Sequence, residues 1–275
     1  MTIAAALARI SGRFATAGCD SPRVDAELLL AHVLGTTRSG LRVEPERILS
    51  AETLGELEAL VARRERREPL PYVLGEWGFR RLTLGVDQRV LVPRPETEVV
   101  VERCLALICD LEEPRVLDVG TGGGGIALAI ADEHPGARVV GIDVSADALE
   151  VARANAVSTN LATEFVQWDF FDGLPEGPWD LVVSNPPYVR PEEIERLEPE
   201  VRDWEPRLAL VGDGATEAVA HGALVCLRAG GAVVLEVADG DSSRIVALLG
   251  ELGYVDVLVT KDLAQRSRVV EGVRT

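Results

Sequence analysis

The stretch Asp118-Val119-Gly120-Thr121-Gly122-Gly123-Gly124-Gly125 constrains the fold of this chain more than any other. It follows a short apolar run, Arg115 to Val119, and opens a helical pattern over Gly124 to Glu133. A glycine-rich turn between a strand and a helix lets a ligand approach backbone N–H groups with no Cβ intervening. The same alternation then repeats. Ala137 to Val144 reads as a second strand, and Ser145 caps a helix reaching about Asn160. Strands follow at Glu164 to Asp169 and Asp180 to Asn185, a helix near 216–228, a strand at Ala232 to Val237 and a helix near 243–252. The chain closes with strands at Tyr254 to Thr260 and Ser267 to Val273. Alternating elements of this kind predict an α/β fold, a doubly wound, mostly parallel, seven-stranded Rossmann-like sheet with helices on both faces. The last two strands are joined by only about six residues, too few for a helical crossover, so they are expected to form an antiparallel hairpin.

The part before residue 98 is different. Val24, Leu28, Leu29, Ala31 and Leu34 recur at helical spacing, and Leu54, Leu57, Leu60 and Val61 repeat the pattern after a cap at Ser50. The second helix ends in the run Arg63-Arg64-Glu65-Arg66-Arg67, expected to be a solvated face, before Pro69 breaks it. From Pro69 to Pro95 short apolar stretches (Tyr72 to Leu74, Leu82 to Val86, Val90 to Val92) alternate with Gly and Pro, as in a linker with a small hairpin. The expected organisation is a helical domain over 1–70, a linker with a β-hairpin over 71–98 and an α/β domain over 99–275.

Charge narrows the partners. The chain has 275 residues and a net charge of −17. Residues 1–75 carry ten Arg and ten Asp or Glu, so the acidity lies in the remainder. Such a surface repels phosphate backbones and attracts a basic protein partner; solubility alone is an equally good reason for it. Direct nucleic-acid binding is therefore not expected. No apolar run approaches the roughly 18 residues of a membrane span, and Arg9 and Arg13 interrupt the apolar start, so neither anchor nor signal peptide is expected. Cys19, Cys104, Cys109 and Cys226 form no CxxC pair, and His32, His134 and His221 lie far apart. Buried free thiols in a reducing cytoplasm, with no metal site, are the expectation. A monomer is assumed by default.

The strand ends carry the chemistry. Asp143 closes the second strand, where a carboxylate can accept both hydroxyls of a ribose. With Gly120, Thr121, Gly122, Gly123 and Gly124 it points to an adenosine-containing cofactor. The glycines also satisfy the dinucleotide fingerprint, which leaves a nicotinamide cofactor open. Asp118 argues against it, since a carboxylate there repels pyrophosphate and attracts the ammonium of a methionine moiety, unless local N–H groups satisfy it. In Gln167-Trp168-Asp169-Phe170-Phe171, Asp169 can accept from an adenine amino group and a ring can cover the base; either phenylalanine could instead be core. The strand ending at Ser184 runs into Asn185-Pro186-Pro187-Tyr188. Two prolines remove two backbone donors and fix an extended exit with outward carbonyls. The Asn185 side-chain oxygen and the Pro186 carbonyl can each accept one hydrogen of a planar NH2, with Tyr188 against its plane. Two such acceptors localise the nitrogen lone pair toward a sulfonium methyl. A plain strand-exit turn is the alternative.

Taken in order, DVGTGGGG, GIDVS, QWDFF and SNPPY resemble the class I S-adenosylmethionine-dependent methyltransferases that act on planar nitrogen. More narrowly, RVDAELLLAHVLG, RREPLPYVLGEWGF, VLVPRPETE and VRDWEPRLAL resemble the HemK/PrmC family, over nearly the whole chain. The resemblance implies a methyltransferase sheet and methylation of the glutamine N5 amide in the GGQ motif of class 1 peptide chain release factors. The cofactor would be S-adenosyl-L-methionine and the product S-adenosyl-L-homocysteine. Gly120 to Gly124, Asp143 and Phe170 would bind the cofactor, Asn185 to Tyr188 would hold the amide, and Arg94, Glu96 and Thr97 would lie near the cofactor pocket. The helical front, with its arginine run, would recognise the release factor.

The sequence departs from the family late. Leu235-Glu236-Val237-Ala238, then Asp239-Gly240-Asp241, stands where a Leu-Glu-Ile-Gly stretch is expected. Leu263-Ala264-Gln265-Arg266 replaces a Gly-containing turn, and Gly212-Asp213-Gly214-Ala215 matches in part. Two other readings stay open. One is N6-adenine methylation of nucleic acid, which the same amino-group logic would serve and the acidic charge opposes. The other is a non-catalytic module that keeps the cofactor fold.

Overall fold

In the computed structural model, which describes every residue from Met1 to Thr275, the chain divides into two units. Unit 1 is Met1–Glu76 with Leu197–Trp204, and unit 2 is Trp77–Arg196 with Glu205–Thr275. Unit 1 is helical. Thr2 accepts from the Ala5 N–H at 3.2 Å and caps α1 (Ile3–Thr16), which buries Ile3, Leu7, Ile10 and Phe14 along one stripe. Pro22 opens α2 (Pro22–Val33), and Ser50 caps α3 (Ala51–Glu65) through the Thr53 N–H at 3.1 Å. Tyr72 to Leu74 is not an extended stretch but part of one helical turn, α4 (Leu70–Leu74), which Gly75 ends in the left-handed region.

Two expectations for unit 1 fail for the same reason, which is buried charge. On α2 the buried face is Ala26, Leu29, Leu30 and Ala31 together with Asp25 and Glu27, while Val24 is exposed. The helix is rotated from its purely apolar stripe so that these two carboxylates meet arginines. Glu27 accepts from Arg23 at 2.8 Å and from Arg38 at 2.7 Å. Nor is the arginine run a solvated face. Arg64 is 5% exposed and donates to Asp25 at 2.8 Å and Glu200 at 2.7 Å. Arg67 reaches both oxygens of Glu200, and Arg63 reaches Glu68. A guanidinium can be buried only with such partners. The late segment Leu197–Trp204 belongs to unit 1 because Glu200 completes that cluster.

Unit 2 begins with a hairpin, β1 (Glu76–Phe79) and β2 (Leu82–Gly85), whose first residue is the last of unit 1. The stretch 71–98, read above as a linker with a β-hairpin, holds this hairpin and spans the boundary between Glu76 and Trp77. Then follow α5 (Thr97–Ile108), β3 (Arg115–Val119), α6 (Gly125–Glu133), β4 (Arg138–Asp143), α7 (Ala146–Thr159), β5 (Glu164–Gln167) and β6 (Trp179–Ser184). α8 (Ala215–Cys226), β7 (Leu227–Glu236), α9 (Ser242–Glu251), β8 (Val255–Lys261) and β9 (Ser267–Val273) complete it. The seven strands pair in the order β5-β4-β3-β6-β7-β9-β8, parallel through β7 and antiparallel at β9 and β8.

Strand alternation sorts the core into two layers. Val116, Leu181, Val183, Ala232 and Val234 face α5, α6 and α7, where Val100, Ile130 and Leu149 pack. Leu117, Val119, Val182, Val233 and Leu235 face α8 and α9, with Val219, Ala223, Ile245 and Leu249. Three of the four cysteines are buried thiols as expected, but Cys109 is exposed past the end of α5. No helix is long and apolar enough to cross a membrane.

Because Arg64 is buried against two carboxylates, removing it strands Asp25 and leaves Glu200 to Arg67 alone. Arg64→Ala is expected to destabilise the helical unit by about 3–5 kcal/mol, read as an earlier transition in urea unfolding followed by circular dichroism.

Candidate active site

The glycine loop turns where β3 ends. Gly120, Gly122 and Gly124 take φ of +70°, +54° and +84°, a region that L side chains adopt only with strain. The backbone donors of this loop are largely turned inward. The Gly120 and Thr121 N–H groups both donate to the Ile142 carbonyl, at 2.8 and 2.9 Å, and Gly122 N–H donates to Asp143 Oδ2 at 2.8 Å. The contribution of Gly120 and Gly122 to a ligand is therefore space: a Cβ on either would meet no protein atom within 4 Å.

That space is one cavity of about 480 Å³ at the carboxyl ends of the parallel strands. Arg94, Thr97, Gly120, Thr121, Gly122, Gly123, Asp143, Asp169, Phe170, Asn185 and Pro187 all line it. The Asp143 carboxylate is held by the N–H groups of Gly122 and Ser145, and burial raises its pKa. Asp169 Oδ1 accepts from the Phe171 N–H at 2.9 Å. The two phenylalanines divide the roles open to them: Phe170 is buried in the α8 and α9 layer and reaches the wall, while Phe171 is 59% exposed and also lines it.

Asp118, Gly124, Pro186, Tyr188 and Glu96 are not part of the lining. Asp118 is 1% exposed; its Oδ2 accepts from Thr121 Oγ1 at 2.6 Å and Ala127 N at 3.2 Å, and its Oδ1 has no partner. Burial pushes its pKa up to about 7. Local groups thus engage one of its two oxygens, and through that oxygen it ties the loop to α6. Gly124 caps α6, Tyr188 turns to a buried carboxylate, and Glu96 accepts from Arg266 at 2.9 Å. Arg94 donates to both oxygens of the buried Glu205, at 2.7 and 2.6 Å.

One wall was not legible in the sequence. Val90, Leu91 and Val92 of the connector line the cavity, as does Leu208 beyond the NPPY segment. Asn155 of α7 fixes this wall: it bonds the Gly85 N–H and carbonyl at 2.7 and 3.1 Å, and the Gly123 carbonyl at 2.9 Å. A polar residue on an otherwise amphipathic helix gives no sequence signal of this kind.

At the end of β6, Ser184 Oγ donates to the Val119 carbonyl at 2.7 Å, tying the start of the NPPY segment to the glycine loop strand. Asn185 Nδ2 donates to Thr97 Oγ1 at 3.3 Å; Thr97 donates to Glu236 Oε2 at 2.7 Å; Tyr188 Oη donates to Glu236 Oε1 at 3.5 Å. Gly212 is required beside Pro187, because a Cβ there would overlap the Pro187 carbonyl and stand 2.8 Å from its Cγ. The partly matching 212–215 stretch is therefore a close backbone approach.

This site lies on a fold seen before. The catalytic domain of hMettl16 in complex with an RNA hairpin shares it, with a TM-score of 0.58 and 14% identity over 82% of this chain and 83% of that one. So does the T. thermophilus 16S rRNA methyltransferase RsmC in complex with AdoMet and guanosine, at 0.54 and 18% over 73% of this chain and 50% of that one. Residues 99–198 match the family described as methyltransferase small domain. Fold and site together define an S-adenosylmethionine-dependent methyltransferase. The cavity fits that cofactor, with a Cβ-free cradle at Gly120 and Gly122, a carboxylate at Asp143 for a ribose and exposed apolar walls for a base.

Residues 5–75 match the PrmC N-terminal domain. The release factor glutamine methyltransferase of Caulobacter vibrioides is 41% identical over all of this chain and 97% of its own length. That of Vibrio cholerae is 40% identical over 99% of this chain and 96% of its own. The chain belongs to the release factor glutamine methyltransferase family.

Asp143→Asn is expected to weaken S-adenosylmethionine binding on the order of 10- to 100-fold, since hydrogen bonds to a charged group are worth about 1.5–3 kcal/mol. Isothermal titration calorimetry on the purified chain measures it.

Proposed function

We propose that this enzyme methylates the N5 side-chain amide of the glutamine in the GGQ motif of class 1 peptide chain release factors. The observation that carries the reading is the orientation of Asn185. Its Nδ2 is engaged by Thr97, which leaves Oδ1 to accept a hydrogen from a planar amino group in the cavity. The relatives named for this activity support it over the full length of the chain.

S-adenosylmethionine, when bound, supplies a methyl group on a sulfonium sulfur and leaves as S-adenosylhomocysteine. The rest falls to the chain. Gly120, Thr121, Gly122, Gly123, Asp143, Asp169 and Phe170 hold the cofactor, and Asp118 and Gly124 shape the loop that does so. Asn185 Oδ1 and the Pro186 carbonyl take the two N–H hydrogens of the glutamine amide, with Pro187 and Tyr188 setting its plane. An amide nitrogen is a poor nucleophile because its lone pair is delocalised; two acceptors draw that pair out of conjugation and aim it along the bond being formed. With the cofactor bound, the N–C bond would form as the C–S bond broke, the sulfur keeping its electron pair and the surplus proton passing to water. The surplus proton on nitrogen becomes acidic only as the bond forms, so no strong base is needed beforehand.

We propose further that unit 1 recognises the folded release factor. Its arginines serve this less than their number suggests, since Arg13, Arg38, Arg63, Arg64 and Arg67 are paired internally. Buried unpaired thiols at Cys19, Cys104 and Cys226 suit a cytoplasmic enzyme, and we take it to act as a monomer.

Incubation with S-adenosylmethionine and a bacterial class 1 release factor, followed by mass spectrometry of the tryptic GGQ peptide, is expected to give a gain of one methyl group on the glutamine. The gain should vanish when that glutamine is replaced. Asn185→Ala should abolish transfer and leave cofactor affinity nearly intact. Methyl incorporation into nucleic acid instead, or cofactor binding with no acceptor at all, would sink the proposal.

A further inference from the structure

The Asn185 side chain owes its orientation to Thr97, at the wall of the cavity, and to Glu236 behind it. A terminal amide can present either its oxygen or its NH2 to a neighbour, and the difference between the two is only a flip. For a residue that must offer oxygen to the acceptor, the wrong flip is inactive. Something has to choose.

Strand alternation places Glu236 in the row of Ala232 and Val234, the row that faces α5. It is the last residue of β7, and Thr97 is the first of α5. Thr97 owns a single hydroxyl proton, and that proton goes to Glu236 Oε2 at 2.7 Å. Toward Asn185 the Thr97 oxygen can then only accept. An Asn185 oxygen in that place would set two acceptors against each other at 3.3 Å, so the NH2 is the group that points to Thr97. The other oxygen of Glu236 faces Tyr188 Oη at 3.5 Å. One carboxylate, 1% exposed, therefore reaches both ends of the four-residue segment.

We infer that Thr97 and Glu236 are positioning residues, a relay through which the Glu236 carboxylate fixes Asn185 with its side-chain oxygen toward the acceptor amide. The inference rests on the role given to Asn185 above.

The relay has a polarity set by ionisation. The groups facing Glu236 are Thr97 and Glu96 at the start of α5, Tyr188 after β6 and Arg268 on β9. Burial raises its pKa to about 7; the Thr97 hydrogen bond and Arg268 hold it down, and Glu96 pushes it up. The ionised carboxylate only accepts, which sets the relay as described. Once protonated, Glu236 can donate to Thr97, whose own proton is then free to bond Asn185 Oδ1 and compete with the acceptor. A raised carboxylate pKa gives the active form above it, so turnover is expected to rise with pH through about 7.

The test uses the full chain with a class 1 release factor. Thr97→Val is expected to lower kcat on the order of 100-fold, as for a misplaced catalytic group, a loss much larger than any change in S-adenosylmethionine affinity from altering this cavity wall. Thr97→Ser, which keeps the hydroxyl, should restore turnover. Glu236→Gln still accepts from Thr97 but cannot ionise, so it should keep partial activity and lose the rise with pH. A Thr97→Val enzyme as fast as wild type, or a Glu236→Gln enzyme with the wild-type pH profile, would overturn the relay. Failure of wild type to methylate the glutamine would instead count against the substrate. The relay then stands or falls on the Asn185 side-chain amide signals in 15N NMR, assigned by their loss in Asn185→Ala. These should titrate near pH 7 in wild type and not in Glu236→Gln; signals indifferent to both Thr97→Val and pH would refute it whatever the acceptor.

Discussion

The site depends on the place where the sheet changes direction. β3 and β6 are parallel neighbours, but the chain leaves β3 toward β4 and β5 and leaves β6 toward β7, so the connections diverge and no crossover covers the gap between them. In an open α/β sheet such a gap at the carboxyl ends of the strands is where ligands enter. The groups proposed to act in the chemistry sit at the ends of these strands or just beyond them, with Thr97 beside them at the start of α5. The glycine loop follows β3, Asp143 closes β4, Asp169 follows β5, Asn185 follows β6 and Glu236 closes β7. Parallel pairing in register brings residues more than a hundred positions apart to one edge; Val119, Ser184 and Leu235 are direct neighbours across the sheet.

The exit from β6 is the least conventional part of that edge. Pro186 and Pro187 have no N–H to give, so the segment cannot be held by a ladder of backbone bonds. It is braced from outside instead. Gly212 lets a second backbone pass against Pro187, the Val189 N–H donates to the Leu210 carbonyl at 2.9 Å, and Arg94 with buried Glu205 steadies the connector and the stretch before Leu210. A segment whose own backbone is donor-free can leave its carbonyls to a substrate only if its neighbours supply its rigidity.

How far the sequence revealed this follows from what kind of interaction is at stake. Apolar periodicity is local, so β3 to β9 and the helices between them were readable to within a few residues, and so was the antiparallel end. Motifs that combine a strand end with glycine, carboxylate or proline were readable too, which is why most of the expected residues share one cavity. Interactions with partners distant in the chain were not. Nothing near Arg64 announces that Glu200 will meet it, so a buried cluster looked like a solvated run. Nothing near Gly85 announces Asn155, so a cavity wall looked like a linker. The face of α2 was misjudged because Asp25 and Glu27 are polar residues buried by pairing, which a pattern of apolar residues cannot register.

Buried carboxylates are common in unit 2, and their partners distinguish them. Glu205 and Glu271 each accept from a guanidinium, Arg94 and Arg103. A carboxylate so paired has its charge compensated where it sits. Asp118 and Glu236 are different: their donors are neutral hydroxyls and a backbone N–H, and both have pKa values raised to about 7 by burial. Desolvation prevails over these neutral donors, as it also does at Glu205 in spite of its guanidinium partner. These two acids stand apart, one under the glycine loop and one behind the segment Asn185 to Tyr188. An arginine hydrogen-bonded to either would fix the charge firmly, but it would also bring a competing donor toward groups that must accept; Arg268, near Glu236, donates to the Val237 carbonyl instead. A lone carboxylate behind a threonine keeps every hydrogen bond in the chain running one way, from Asn185 to Thr97 to Glu236, and leaves the Asn185 oxygen as the free end.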